Sequence, residues 1–84
     1  MFRESTRLTD PRLLFKKVVV VLPTYNEREM VGKTLKSVLE QEKSLPGWRI
    51  EVLIVDSGSP DGTGEVAKKL AAQNPRVHFL GVVS

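Results

Sequence analysis

The sequence predicts an α/β fold: a Rossmann-like β-α-β-α-β unit with three parallel strands. Three observations carry that expectation. Two branched apolar runs, Val18-Val19-Val20-Val21-Leu22 and Val52-Leu53-Ile54-Val55, are too short for helices and rich in β-branching, which suits strands. Each run is followed by apolar residues at helical spacing. Each also ends abruptly in a polar turn, and in open α/β sheets ligands sit at that carboxyl edge of the strands.

The elements follow in order. Met1 to Lys17 has no clean period, and Asp10-Pro11 is a turn signal, so this stretch reads as a basic N-terminal extension. The remainder, 18–84, is one small domain. The first strand is expected over Val18–Leu22, buried on both faces, with Pro23 stopping it because proline cannot donate to a sheet ladder. Asn26 with Glu29 three residues later resembles a helix capping box. Val31, Leu35, Val38 and Leu39 then mark the buried stripe of a helix that ends before Pro46-Gly47. Trp48 is expected to pack at the lower rim of the sheet.

The second strand is expected over Ile50–Val55, also buried on both faces, and the turn Asp56-Ser57-Gly58-Ser59-Pro60-Asp61-Gly62 follows it. Asp61 or Thr63 is placed to cap the second helix. Val66, Ala67, Leu70 and Ala71 give that helix its stripe, and Asn74-Pro75 ends it. Val77–Leu80 is the third strand. Helical crossovers between parallel neighbours are right-handed, so the expected spatial order is 3-2-1. If strands one and two are neighbours, Pro23–Glu27 and Asp56–Asp61 open at one edge.

Composition excludes several classes of function. The chain of 84 residues has no cysteine, hence no disulfide and no thiolate metal site. No apolar run is long enough to span a bilayer. The net charge of +3 comes from Arg3, Arg7, Arg12, Lys16 and Lys17 against Glu4 and Asp10, the rest being balanced. A basic tail can meet anionic lipid or nucleic acid. No aromatics are interleaved with these residues for base stacking, so a solvated terminus is the simpler reading and no nucleic-acid partner is expected. A nucleic-acid binder would need salt-dependent affinity lost with the tail.

Two apparent phosphate motifs fail. Gly32-Lys33-Thr34 resembles the end of a P-loop, but the glycine required five residues earlier is Glu27. Gly58, Gly62 and Gly64 do not form G-x-G-x-x-G. The remaining edge groups suit a nucleoside. Tyr25 offers a flat face and a hydroxyl, and Glu27, Asp56 and Ser57 can accept hydrogen bonds from base or ribose. Each also has an ordinary structural explanation: Asp56 as a turn former, Asp61 as a helix cap, Glu27 as a first-turn carboxylate, His78 as a strand residue.

Val-Val-Leu-Pro-Thr-Tyr-Asn-Glu at 20–27 and Val-Asp-Ser-Gly-Ser-Pro-Asp-Gly-Thr at 55–63 together resemble the N-terminal part of the family 2 glycosyltransferases. They come closest to the dolichol- and polyprenol-phosphate mannosyltransferases. The resemblance runs from about Lys17 to Leu80. It implies a GT-A fold and transfer, with inversion, of a hexose such as mannose from a nucleotide-diphosphate sugar, GDP-mannose or a UDP-sugar. The implied acceptor is a polyprenol or dolichol phosphate at the cytoplasmic membrane face. By the resemblance, Pro23, Tyr25 and Glu27 match donor contacts of the first loop, and Val55, Asp56 and Ser57 match the second. The family usually has two aspartates where this chain has Asp56-Ser57. The resemblance also implies a divalent metal, Mg2+ or Mn2+, but the family's Asp-x-Asp motif and catalytic base lie downstream of the residues present. The expectation is therefore a truncated glycosyltransferase, inactive alone. The alternative is a non-catalytic nucleotide-binding or interaction module that keeps the fold.

Overall fold

The computed structural model describes residues 16–82. The expected tail, Met1 to Lys17, lies outside the described residues except for Lys16 and Lys17. Those two lysines open the first strand, β1, which spans Lys16–Thr24. Helix α1 (Val31–Glu40) runs into a 3-10 turn (Gln41–Ser44), then come β2 (Trp48–Asp56), α2 (Thr63–Gln73) and β3 (Val77–Gly81). The strands form one sheet in the order β1-β2-β3, and both neighbouring pairs are parallel.

β1 continues through Pro23, contrary to expectation. It is an edge strand of this sheet, and at an edge the missing proline N–H need not break a ladder bond. The expected capping box does not form either. Asn26 adopts a left-handed φ of +52°, and α1 begins after Met30 without a side-chain cap. The Glu27 carbonyl instead accepts from the N–H groups of Met30 and Val31, each at 2.9 Å. A tight turn therefore stands between Asn26 and the helix.

The core lies on one side of the sheet. Val31 and Leu35 of α1 and Ala67 of α2 pack against Ile50, Val52, Ile54 and Val77, with Val18, Val20, Leu22 and Phe79 completing the layer. These are alternate residues of each strand, as strand geometry requires. Burying a side chain such as Ile54 or Val52 contributes about 1.5–3 kcal/mol. The expectation of strands buried on both faces is not met. Val19, Val21 and Leu80, on the other face, are half exposed or more (53%, 57% and 50%). Two successive right-handed crossovers in a sheet that grows in one direction put both helices on the same face. The opposite face, which carries these apolar residues beside Lys17, Glu51 and His78, is uncovered within the described residues.

At the amino end of the sheet, polar contacts take over. Glu42 accepts from the Ile50 N–H at 2.7 Å and pairs with Arg76, tying the 3-10 turn to β2 and to the residue just before β3. Trp48 stands at this rim as expected, though 39% exposed, with the Lys16 ammonium 5.5 Å from its ring. His78 faces Glu51 at 3.1 Å, and Lys17 lies 3.4 Å from the same carboxylate. His78 thus sits in a surface ion cluster on the open sheet face, away from the carboxyl edge.

Candidate functional site

Parallel pairing brings the two loops together. Pro23 is in register with Val55, and Thr24 with Asp56. The Ser57 N–H extends this ladder by donating to the Thr24 carbonyl at 3.4 Å. Side chains alternate along a strand, so the six candidate residues divide between two faces. Pro23 and Val55 belong to the open face, and Tyr25 and Ser57 lie one residue beyond the paired ends, both exposed. Asp56 belongs to the helix face and is buried.

The Asp56 carboxylate is held by internal donors. Oδ1 accepts from the Thr24 hydroxyl at 2.9 Å and the Ser59 hydroxyl at 2.6 Å, and Oδ2 from the Ser59 N–H at 3.0 Å. Burial works to raise its pKa, but the two Ser59 donors and the Thr24 hydroxyl outweigh it and hold the carboxyl below its usual value. Asp56 thus joins the end of β1 to the turn after β2. Glu27 is exposed, and its Oε1 accepts from the Tyr25 N–H at 3.2 Å.

Asp61 is occupied in a similar way. Its Oδ1 accepts from the Thr63 N–H at 2.9 Å and from the Thr63 hydroxyl, and its Oδ2 from the Arg28 N–H at 3.2 Å. The Thr63 hydroxyl is the main reason its pKa lies below the usual carboxylate value. The expected cap at Asp61 or Thr63 does not form: the cap residue is Gly62, at φ +91° and without a side-chain cap bond, while Asp61, one position before it, accepts from the Thr63 N–H. Sequence reasoning missed the link from Asp61 to Arg28 and the parts played by Ser59 and Thr63. The Ser59 hydroxyl accepts from the Asn26 N–H and the Thr63 hydroxyl from the Glu27 N–H, both at 2.9 Å. The only advance signal was a polar side chain at every second position from Ser57 to Thr63.

A cavity of about 420 Å³ opens on the helix side of this edge, lined by Asp56, Ser59, Gly64, Lys68, Phe79 and Gly81 among others. Gly64 leaves room there: a Cβ on it would stand 3.2 Å from Asp56 Oδ2. Among the described residues, no three histidine or acidic side chains converge where they could hold a metal ion. Both aspartates of this edge are engaged as above. The described residues of this edge therefore do not fit a divalent metal. Among the described residues, no helix is long and apolar enough to cross a membrane.

Comparison with known proteins agrees with this architecture. The chain is 41% identical over 66 residues to the polyprenol monophosphomannose synthase of Mycolicibacterium smegmatis, covering 77% of this chain and 23% of that protein. It is 39% identical over 59 residues to the dolichol-phosphate mannosyltransferase of Pyrococcus furiosus, covering 70% of this chain and 16% of that protein. Among solved structures, it is similar to a mannosyltransferase from Pyrobaculum calidifontis in complex with GDP-Man and Mn2+. There the TM-score is 0.58 at 30% identity, over 83% of this chain and 20% of that one. The chain thus spans between 16% and 23% of the length of these relatives. The β-α-β-α-β unit is part of a GT-A fold. The family model for glycosyl transferase family 2 matches residues 19–81, and with the paired loops in place the chain belongs to that family.

Proposed function

We propose that this chain forms the nucleotide-binding part of a glycosyltransferase that moves a hexose, such as mannose, from a nucleotide diphosphate to a polyprenol or dolichol phosphate. The observation that carries the reading is the register of β1 and β2. It sets Pro23 beside Val55 and leaves Tyr25 and Ser57 exposed at the same carboxyl edge. The relatives' names, and the GDP-Man and Mn2+ in one relative's structure, support the donor and acceptor classes. In this reading Pro23, Tyr25, Glu27, Val55 and Ser57 contact the donor. Asp56 holds the edge together from beneath. The divalent metal is held by residues other than the engaged aspartates, and the reaction takes place at the cytoplasmic membrane face.

Ser57 stands where the family usually has a second aspartate. A carboxylate accepts stronger hydrogen bonds from base N–H groups than a neutral hydroxyl does. Ser57→Asp should therefore tighten GDP or UDP binding by about 1 kcal/mol, and Tyr25→Ala should weaken it by at least as much through lost stacking area. Calorimetric titration of both nucleotides into the three proteins reads this out. Unchanged affinity for both in Ser57→Asp would mean that position 57 does not face the base.

A second reading, nucleotide binding without catalysis, is favoured by the internal engagement of Asp56 and Asp61. Both carboxylates already accept hydrogen bonds from their own loops, and in this reading the 84 residues alone transfer no sugar to a lipid phosphate even with Mn2+ present. Turnover above a boiled control would contradict that.

A further inference from the structure

All six residues from Tyr25 to Met30 are exposed, so apolar burial does little to fix the first loop. Hydrogen bonds across the edge hold it instead. Three consecutive backbone N–H groups, those of Asn26, Glu27 and Arg28, donate to Ser59 Oγ, Thr63 Oγ1 and Asp61 Oδ2. Each acceptor is itself held from behind. The Ser59 hydroxyl donates to Asp56, the Thr63 hydroxyl donates to Asp61, and Asp61 also accepts from the Thr63 N–H. Thr63 is fully buried, so no water competes for its hydroxyl. A second tie runs along the loop, where the Arg28 guanidinium donates to the Asp61 carbonyl at 3.5 Å. Asn26 meanwhile sits at a left-handed φ, a region that asparagine tolerates better than most residues.

We propose that Ser59, Asp61 and Thr63 are positioning residues. They form a clasp that fixes the Asn26–Arg28 backbone and thereby sets Tyr25 and Glu27 in place for a nucleotide diphosphate. The inference rests on the donor-site reading above. It adds that the second loop acts through the first: its side chains reduce the ordering cost that a ligand would otherwise meet on binding.

Thr63 gives the sharpest test. Thr63→Val keeps the shape and removes the acceptor, while Thr63→Ser keeps both hydrogen-bonding roles. GDP is titrated by calorimetry into the full 84-residue chain carrying each substitution, alone and with Tyr25→Ala. The clasp predicts about tenfold weaker binding in Thr63→Val and binding within about twofold of the parent in Thr63→Ser. With Tyr25→Ala already present, Thr63→Val should cost clearly less than about tenfold, because one of the two contacts it positions is gone. An equal cost in both backgrounds would reduce Thr63 to general stability and overturn the proposal. Amide hydrogen exchange supplies the second readout. In Thr63→Val the Glu27 N–H should exchange at least about tenfold faster while those of Val52 and Ile54 are unchanged. Unchanged Glu27 exchange would overturn the clasp. Failure of the parent chain to bind either GDP or UDP would defeat the donor-site reading alone, and the exchange measurement would still decide the clasp.

Discussion

Asp56 decides the character of the edge. A carboxylate at 3% exposure survives only with donors around it, and Thr24 and Ser59 supply three. Its folded pKa lies below its usual value, so its contribution to stability is fully present above that usual value. The contribution fades as pH falls through the lower folded value. Asp61 shifts in the same direction and adds to the same acid sensitivity. Asp56→Asn removes one part of it. The substitution should lower stability at neutral pH by about 2 kcal/mol, since the hydroxyl donors then meet a neutral oxygen and the amide NH2 cannot accept from the Ser59 N–H. It should also flatten the fall in stability between pH 5 and pH 2 (about the range over which carboxylates titrate). Chemical denaturation followed by circular dichroism across that range checks both effects. An Asp56→Asn protein with the parent's acid slope would remove Asp56 from the account.

The elements themselves were largely legible in the residues, because short β-branched runs and apolar residues at helical spacing report local geometry directly. The structure places strands at both long apolar runs and at Val77, and helices over both stripes. What stayed hidden depends on contacts between distant residues. Four consecutive valines carry no alternation, so Val19 and Val21 could not reveal that their face is uncovered. Asn26 and Glu29 match a capping box as text, yet the Asn26 N–H goes to Ser59 across the edge. Of the six donor-site candidates, the grouping at one edge was readable, but their division between two faces needed the register. The turn into α2 depends on Gly62 at φ +91°, a backbone conformation in which a side chain is strained. Gly62→Ala should therefore cost about 1–2 kcal/mol, and Gly62→Asn less, because asparagine tolerates the left-handed region better. Thermal unfolding of the two variants gives the comparison, and equal stability of the parent and the Gly62→Ala protein would show that the turn relaxes freely.

At the scale of the whole molecule, one face of the sheet carries the core and the other is open. Val19, Val21 and Leu80 are exposed there, on the two outer strands, beside the Lys17–Glu51–His78 cluster. Exposed apolar sheet surface and unpaired strand edges recruit other chains. The 84-residue chain alone should self-associate, and Val19→Lys with Val21→Lys should shift it toward monomer. Sedimentation velocity at several concentrations measures this. A monodisperse parent with cooperative unfolding would mean that the open face is not adhesive.

The central claim is that a nucleotide diphosphate binds at the edge shared by Pro23–Glu27 and Val55–Ser57. Backbone amide chemical shifts, followed by NMR while GDP is added to the Val19→Lys chain, test it most directly, since Val19 pairs with Glu51, well below the edge. The account predicts that the largest shifts fall on Tyr25, Asn26, Glu27, Ser57 and Gly58. Trp48, Arg49 and Val77, at the amino end of the sheet, should stay unmoved. Shifts centred on the amino end or on the outer faces of the helices, with Tyr25 and Ser57 silent, would contradict it.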